Sequence, residues 1–139
     1  IVNRYKDQYL IYHITRPTGY VLHGVERVVD WNLNSRTFLS CLIHSSKRIL
    51  SDSCLQHASK AIGLPSVVLW HGTDPNMLGY DINYNIHKEL PEKFDRRWSV
   101  YESVLFDDEG SDCPYDDPST IFDLNEIYNA IDGVQNDPS

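Results

Sequence analysis

The segment 49–80, ILSDSCLQHASKAIGLPSVVLWHGTDPNMLGY, constrains the fold more than any other part of the chain. It predicts a short strand, a polar turn, a helix that ends at a Gly-Leu-Pro break, a second buried strand and a polar loop. Strands and helices joined by such short links are typical of a parallel α/β sheet. The sequence therefore predicts an α/β fold.

Further elements extend this pattern in both directions. Strands are predicted at 9–14, 25–30, 47–51 and 66–70, the first as a nearly continuous apolar run covered on both faces. Between 71 and 115 no long element is predicted, because Pro and Gly interrupt the chain. Helices are predicted after caps at Ser35, Ser53 and Asp123, the last spanning 123–133. Their predicted buried faces are Phe38, Leu39, Leu42 and Ile43; Leu55, Ala58 and Ile62; and Leu124, Ile127, Tyr128 and Ile131.

The middle helix has an explicit beginning and end in the sequence. Ser53 and Gln56 match the Ser-x-x-Gln capping box, which places Cys54 at the first helical position. Gly63 stands where a left-handed residue ends a helix, and Pro65 prevents continuation. The pattern predicts a short helix between these points.

Composition limits the classes of function. The 139-residue chain is 41% hydrophobic, enough for a core, and has no apolar run of the about 18 residues that would span a membrane. Its net charge of −8 comes from the C-terminal part of the chain. Residues 107–139 hold ten of the 20 acids and no Lys or Arg, so the first 106 residues carry ten acids and 12 bases. A negative total argues against nucleic acid as a partner, since its phosphates require clustered cations.

Domain organisation and location follow from the same observations. We expect an α/β region at 1–90 and an acidic extension at 91–139 that ends in the 123–133 helix. The chain does not begin with Met, and IVNRYKDQ resembles the end of a longer helix, so a fragment or processed chain is expected. Three cysteines without metal-ligand spacing predict free thiols. With no signal-peptide pattern at the start, we expect a cytoplasmic location, free or peripheral to a membrane.

The turn after strand 47–51 carries the strongest candidate site. The N–H groups of Ser53, Cys54 and Leu55 lack intrahelical partners, and one phosphate can accept from two of them. His57 is expected to lean back over the helix start and donate to a phosphate oxygen. Asp52 would repel a phosphate, so we expect it to orient a loop, a hydroxyl or His57. The alternative is that Asp52 and Ser53 only cap the helix and His57 is an ordinary surface residue.

A second polar loop follows the next strand, at 71–75. If the two strands are parallel neighbours, both loops open at the same edge of the sheet, where ligands of α/β proteins bind. Thr73 and Asp74 then add a hydroxyl and a carboxylate to the proposed phosphate site. Asp-Pro is also a routine turn signal, which is the competing interpretation of this loop.

Other kinds of site fit the sequence less well. The candidates for a metal site lack ligand spacing, and those for a nucleophilic triad are too close in sequence and lack a Gly-x-Ser-x-Gly elbow. A thiol at a helix start can be reactive, although small-residue packing is the preferred explanation. The residues concerned are His44, His57 and His71 for a metal, Ser53, His57 and Asp52 for a triad, and Cys54 for the thiol.

Five consecutive motifs resemble a known family in order and spacing. They are Asp52-Ser53-Cys54-Leu55-Gln56-His57, Ala61-Ile62-Gly63-Leu64-Pro65, Val67-Val68-Leu69-Trp70, Gly72-Thr73-Asp74-Pro75 and Gly79-Tyr80. This series resembles the nucleotide-sugar-binding half of GT-B glycosyltransferases, especially the heptosyltransferase-like family 9. The resemblance covers about 32 residues and implies a Rossmann-like parallel sheet with flanking helices, part of a C-terminal GT-B domain.

The resemblance implies transfer of a sugar from a nucleoside diphosphate-sugar to a glycan or lipid-linked acceptor, without metal or other cofactor. It implies that Asp52, Ser53 and His57 line the donor pocket, with Thr73 and Asp74 nearby, and that His57 acts as the catalytic residue on the departing diphosphate. It also implies an N-terminal domain that carries the catalytic base and is not part of these 139 residues.

One departure from the family pattern, Cys54 in place of glycine, narrows the approach to the phosphate. It keeps open a second reading, a non-catalytic α/β binding or structural module. A sugar-nucleotide epimerase would require a catalytic acid pair that the sequence does not reveal.

Overall fold

The computed structural model describes residues 1–15, 21–25, 27–30, 34–71, 73–89 and 117–135. The chain forms two compact units, Ile1–His44 and Ser45–Ser139. The boundary predicted near residue 90 lies outside the described residues. Within the described ranges, no helix is long and apolar enough to cross a membrane.

In its described residues, the first unit contains two helices and a two-stranded parallel sheet. Helix α1 (Val2–Tyr5) precedes β1 (Tyr12–Thr15), which pairs in parallel with β2 (Arg27–Asp30), and α2 (Ser35–His44) follows. The buried ring of Tyr5 contributes to the core of this unit. Both strands were predicted from their apolar and β-branched residues.

Three details of this unit differ from the prediction. The first strand begins only at Tyr12, and a Tyr12 side chain that is 45% exposed shows that the strand is not covered on both faces. The cap of α2 is Asn34 rather than Ser35, because Asn34 Oδ1 accepts from the N–H of Thr37 at 3.0 Å. The predicted apolar face of α2 is only partly buried: Leu42 is buried, Phe38 is half-buried, and Leu39 and Ile43 are exposed.

The second unit is built on a three-stranded parallel sheet in the order β3-β4-β5. Central strand β4 has its Val67, Val68 and Trp70 side chains fully buried, as its continuous apolar run predicts. The predicted α/β architecture with a parallel sheet and flanking helices is confirmed. Its elements are β3 (Ile49–Ser51), α3 (Cys54–Ala61), β4 (Val67–His71), α4 (Pro75–Leu78), β5 (Tyr84–Lys88), a 3₁₀ turn (Pro118–Thr120) and α5 (Leu124–Gly133).

Strand β5 is absent from the sequence prediction. In YNIHK only Ile86 is buried, while the residues on either side are exposed, so the segment has no apolar run that marks a strand. Its formation depends on β4, with which it pairs in parallel along its whole length, from Val67 opposite Tyr84 to His71 opposite Lys88.

Helix α5 packs against β4 and β5 and confirms the helix predicted at 123–133. Asp123 caps it, since its Oδ1 accepts from the N–H of Asn125 at 2.8 Å. The predicted buried face needs two corrections, because Leu124 is 49% exposed and Tyr128 is only half-buried. The side chains that this helix buries are Ile127, Ala130 and Ile131.

The end of α3 follows the sequence closely. Gly63 has φ +70, and the N–H groups of Gly63 and Leu64 bond the carbonyls of Lys60 and Ser59 at 3.1 and 3.0 Å. This is the Schellman arrangement that a glycine after the last turn predicts. The chain then turns into β4 after Pro65.

The buried face of α3 differs from the prediction. Gln56 and Ser59 are fully buried, whereas Leu55 and Ala58 are half-buried and Ile62 is 42% exposed. Polar side chains can occupy such a face only when hydrogen bonds compensate their burial. For Ser59 the compensation is local, since its Oγ lies 2.6 Å from Ser66 Oγ.

Candidate functional site

Two polar segments leave the second sheet at its carboxyl edge. Strands β3 and β4 are parallel neighbours, with Ser51 opposite Leu69. The segment after β3 and the segment after β4 therefore leave the sheet at the same edge, the condition on which the predicted site depends. This edge is where parallel α/β proteins bind their ligands.

The start of α3 lies directly after β3. Ser53 is its N-cap residue, with extended backbone at φ −160 and ψ 175, but its side chain makes no capping hydrogen bond. Instead, Ser53 Oγ donates to the carbonyl of Ser51 at 3.2 Å. The N–H groups of Ser53, Cys54 and Leu55 thus donate nothing to the Ser53 hydroxyl, and helix geometry leaves them without intrahelical acceptors. The Gln56 N–H donates to the carbonyl of Ser53 at 3.2 Å.

The predicted capping box is wrong in both halves, because neither the Ser53 hydroxyl nor the Gln56 side chain makes its capping hydrogen bond. Gln56 was expected to reach back to the Ser53 N–H, yet its side chain is fully buried and its Nε2 donates to the carbonyl of Leu78 at 3.1 Å. The hydrogen bond to Leu78, at the end of α4, replaces the predicted local bond to Ser53. Gln56 Oε1 is buried without a partner in the described part of the chain.

In the loop after β4, Asp74 and Thr73 behave differently. Asp74 Oδ1 accepts from the N–H of Asn76 at 2.8 Å and caps α4, so the turn interpretation holds for this carboxylate. Thr73 is half-buried, and its hydroxyl oxygen is buried with no hydrogen-bond partner among the described atoms. A buried hydroxyl of this kind costs free energy unless a water or a ligand bonds to it.

His57 lies on the outer face of α3, where it contacts Tyr80. Its Nδ1 is 2.8 Å from the Tyr80 hydroxyl, and the two rings meet edge to face with their centroids 5.6 Å apart. Lys60, one turn further along, stands over the Tyr80 ring with its Nζ 6.0 Å from the centroid. Gln56 Nε2 approaches the imidazole from the buried side, 3.2 Å from Nε2 and 3.3 Å from Nδ1.

The remaining predicted site residues surround the same helix start. Asp52 and Leu55 are half-buried, while Cys54 is exposed as a free thiol at the first position of α3. No group of three or more His, Cys, Asp or Glu side chains in the described ranges is placed to hold a metal ion.

Two residues of this site were missed as functional candidates in the sequence. Tyr80 stands in the Gly79-Tyr80 pair, and Gln56 was assigned only to the cap. The sequence gave no signal for either role, because the partners lie far apart along the chain: Tyr80 is 23 residues from His57, and Gln56 is 22 residues from Leu78.

Comparison of the chain with models of protein families, with curated proteins and with solved structures found no match. The class that the fold defines is an α/β protein with a three-stranded parallel sheet, compatible with a Rossmann-like fold. The geometry of the carboxyl edge is therefore the basis for a functional proposal.

Proposed function

We propose that the Ser45–Ser139 unit is the donor-binding part of a GT-B glycosyltransferase and holds a nucleoside diphosphate-sugar at the carboxyl edge of its sheet. One observation carries the proposal: β3 and β4 are parallel neighbours, so the start of α3 and the loop with Thr73 open at one edge. The heptosyltransferase-like motifs of the sequence lie on these two segments.

Several features of the edge suit a diphosphate. The N–H groups of Ser53, Cys54 and Leu55 donate no hydrogen bond to the Ser53 hydroxyl, and a helix start favours a negative group by about 0.3–1 kcal/mol. The hydroxyl of Thr73, buried without a described partner, can donate to a phosphate oxygen. Asp52, half-buried beside the cap, would orient the turn or a sugar hydroxyl rather than meet the phosphate.

In this proposal the acceptor oxygen attacks the anomeric carbon, whose bond to the diphosphate breaks. The diphosphate leaves with the electron pair, and the acceptor proton passes to a base in an N-terminal domain. Amides at the start of α3 and His57 stabilise the developing charge in place of a metal ion, and loss of one such donor typically costs about 10²–10³-fold in rate. The acceptor is a glycan or a lipid-linked glycan, and the location is cytoplasmic, peripheral to a membrane in the lipid-linked case.

A second candidate function, a non-catalytic α/β module, has its own support. Both ring nitrogens of His57 already lie within hydrogen-bond distance of Tyr80 or Gln56. Cys54 adds a side chain where the resembling family has glycine. In this alternative, the contacts among Gln56, His57 and Tyr80 only hold α3 against the segment that follows α4.

Thermal denaturation with ADP, UDP and GDP separates the two candidates. A nucleotide at 100 times its Kd stabilises the folded state by about 2.7 kcal/mol, which raises Tm by several degrees in a chain of this size. We expect one nucleotide to do so and the matching nucleoside, which lacks the phosphates, to have little effect.

His57→Ala tests the proposed role of the imidazole. If His57 contacts the diphosphate or orders a group that does, the variant binds the stabilising nucleotide more weakly. Equal shifts in the variant and the parent chain would argue against His57, and flat responses to all three nucleotides would favour the non-catalytic module.

A further inference from the structure

The carboxyl edge of the second sheet needs a positive charge if it is to hold a diphosphate. The ligand is strongly anionic, and the carboxylates of Asp52 and Asp74 follow β3 and β4 at the same edge. The backbone amides at the start of α3 and the Thr73 hydroxyl carry no net charge. Hydrogen bonds from a charged donor are about twice as strong as those between neutral groups. A Lys or Arg side chain beside the loop with Thr73 would therefore contribute more to diphosphate binding than these neutral donors.

The described part of the second unit contains four Lys and Arg residues, which occupy different places. Lys47 and Arg48 precede β3 and so lie at the amino edge of the sheet. Lys60 is in the last turn of α3, over the Tyr80 ring. Lys88 is the last residue of β5, and its side chain is exposed. Of these four residues, only Lys88 stands at the carboxyl end of a strand.

The register of the sheet brings Lys88 beside the loop that follows β4. His71, the last residue of β4, pairs with Lys88 in the parallel ladder. Neighbouring strands are about 4.8 Å apart, and Thr73 lies two residues beyond His71. The Thr73 hydroxyl oxygen is buried without a partner among the described atoms. The flexible four-carbon stem of Lys88 can therefore carry its ammonium group to an anion that accepts from this hydroxyl.

Lys88 and α3 approach this edge from opposite faces of the sheet. Tyr84 and Lys88 share one face of β5, since side chains alternate along a strand. Helix α5 covers that face, because the Tyr84 hydroxyl donates to Gly133 O at 2.9 Å. Helix α3 covers the other face, because its Ser59 bonds Ser66, one residue before the partner of Tyr84 in β4. A phosphate at the edge would have the amides of α3 on one side and the Lys88 ammonium on the other.

We propose that Lys88 binds the diphosphate of the nucleotide-sugar, together with the Thr73 hydroxyl and on the side of the sheet opposite α3. This role rests on the proposed function. Lys88 is a ligand-binding residue in this scheme, and its ammonium group donates to phosphate oxygens and offsets part of the ligand's charge.

Substitution tests this role through affinity. Calorimetry measures binding of the nucleotide among ADP, UDP and GDP that stabilises the parent chain most. Lys88→Met removes the charge and keeps most of the stem, so it should weaken binding about tenfold or more. Lys60→Met is the matched control, because it changes the net charge equally at a position away from the strand ends, and it should bind like the parent chain. Lys88→Arg, which keeps the charge, should recover most of the lost affinity.

Chemical labelling tests the same contact in the parent chain. Acetic anhydride acetylates exposed Lys side chains, and mass spectrometry of the digested chain gives the rate at each position. We expect a saturating concentration of the same nucleotide to slow acetylation of Lys88 and to leave Lys60 unchanged. The matching nucleoside, which lacks the phosphates, should protect neither residue.

The outcomes separate the role of Lys88 from the proposed function. Equal affinity in Lys88→Met and the parent chain, equal losses in Lys88→Met and Lys60→Met, or labelling of Lys88 that the nucleotide does not slow would each overturn the role of Lys88 while the proposed function stands. Absence of binding to all three nucleotides overturns both.

Discussion

If the proposed function is right, Ser53 links helix stability to anion binding, because a capping side chain and a phosphate compete for the same amides. We predict that Ser53→Asp raises the free energy of unfolding by about 0.5–1 kcal/mol, since a carboxylate accepts from the first-turn N–H groups and suits the helix dipole. The same change should weaken nucleotide binding about tenfold or more, because the carboxylate occupies the amides and repels the phosphate. Urea denaturation and calorimetry measure the two effects.

Asp123→Ala is the control for that experiment. Asp123 caps α5, so its loss should cost about 1 kcal/mol of stability and leave nucleotide affinity unchanged. Stability and affinity that rise together in Ser53→Asp would show that the amides of α3 do not meet the ligand.

Two glycines of the second unit are required for different reasons. A Cβ on Gly79 would lie 2.5 Å from the backbone oxygen of Pro75, so we predict that Gly79→Ala costs about 1–3 kcal/mol and displaces Tyr80. Gly63 has open space around it but φ +70, so Gly63→Ala should cost about 1 kcal/mol through backbone strain alone. Urea denaturation measures both costs. Only Gly79→Ala should shift the NMR signals of the His57 ring, and a shift in Gly63→Ala would contradict this prediction.

At the level of single residues, the sequence identified positions better than partners. Ser53 and Asp123 were correctly placed at helix starts, because capping is decided within a few residues. The Ser-x-x-Gln pattern could not reveal that Gln56 bonds Leu78 O, since that acceptor arrives only when α4 packs beside α3. The placement of Tyr80 against His57 depends on the same packing.

At the level of elements, α5 shows how the sheet selects which side chains are buried. Leu124 and Ile131 have the same apolar character in the sequence, but Leu124 is 49% exposed and Ile131 only 3%. We predict that Ile131→Ala destabilises the fold by about 2–5 kcal/mol through lost burial and a cavity, and that Leu124→Ala costs well under about 1 kcal/mol. Equal costs in urea denaturation would mean that α5 does not dock on β4 and β5 by this face.

The same contrast explains which elements were predictable. Strand β4 has a continuous apolar run and was found from the sequence, whereas β5 has a single buried side chain, Ile86, and gains its structure from pairing with β4. Parallel pairing is non-local, so neither the order of the strands nor the meeting of the two loops followed from the sequence. From the sequence, the two loops could be expected at one edge only on the condition that β3 and β4 are parallel neighbours. The observed β3–β4 pairing fulfils this condition.

At the level of the whole molecule, charge opposes the proposed ligand. The net charge of −8 is concentrated in the acids of residues 107–139, and a nucleoside diphosphate is itself an anion. Local amide groups can hold the phosphate only over a short distance, whereas the field of the whole chain acts during the approach. At an ionic strength of about 0.01 M that field extends over about 30 Å, and at 0.15 M over about 8 Å.

We therefore predict that nucleotide association accelerates as salt is raised over this range, because screening weakens the repulsion before contact. Nucleic-acid-binding proteins show the opposite dependence, since they release counterions from phosphates on binding. Stopped-flow measurements with a fluorescent nucleoside diphosphate give the rate, and the matching fluorescent nucleoside, without phosphates, should associate at a rate independent of salt. A nucleotide rate that falls with salt would mean that cations near the site, such as Lys60, dominate the approach over the net charge.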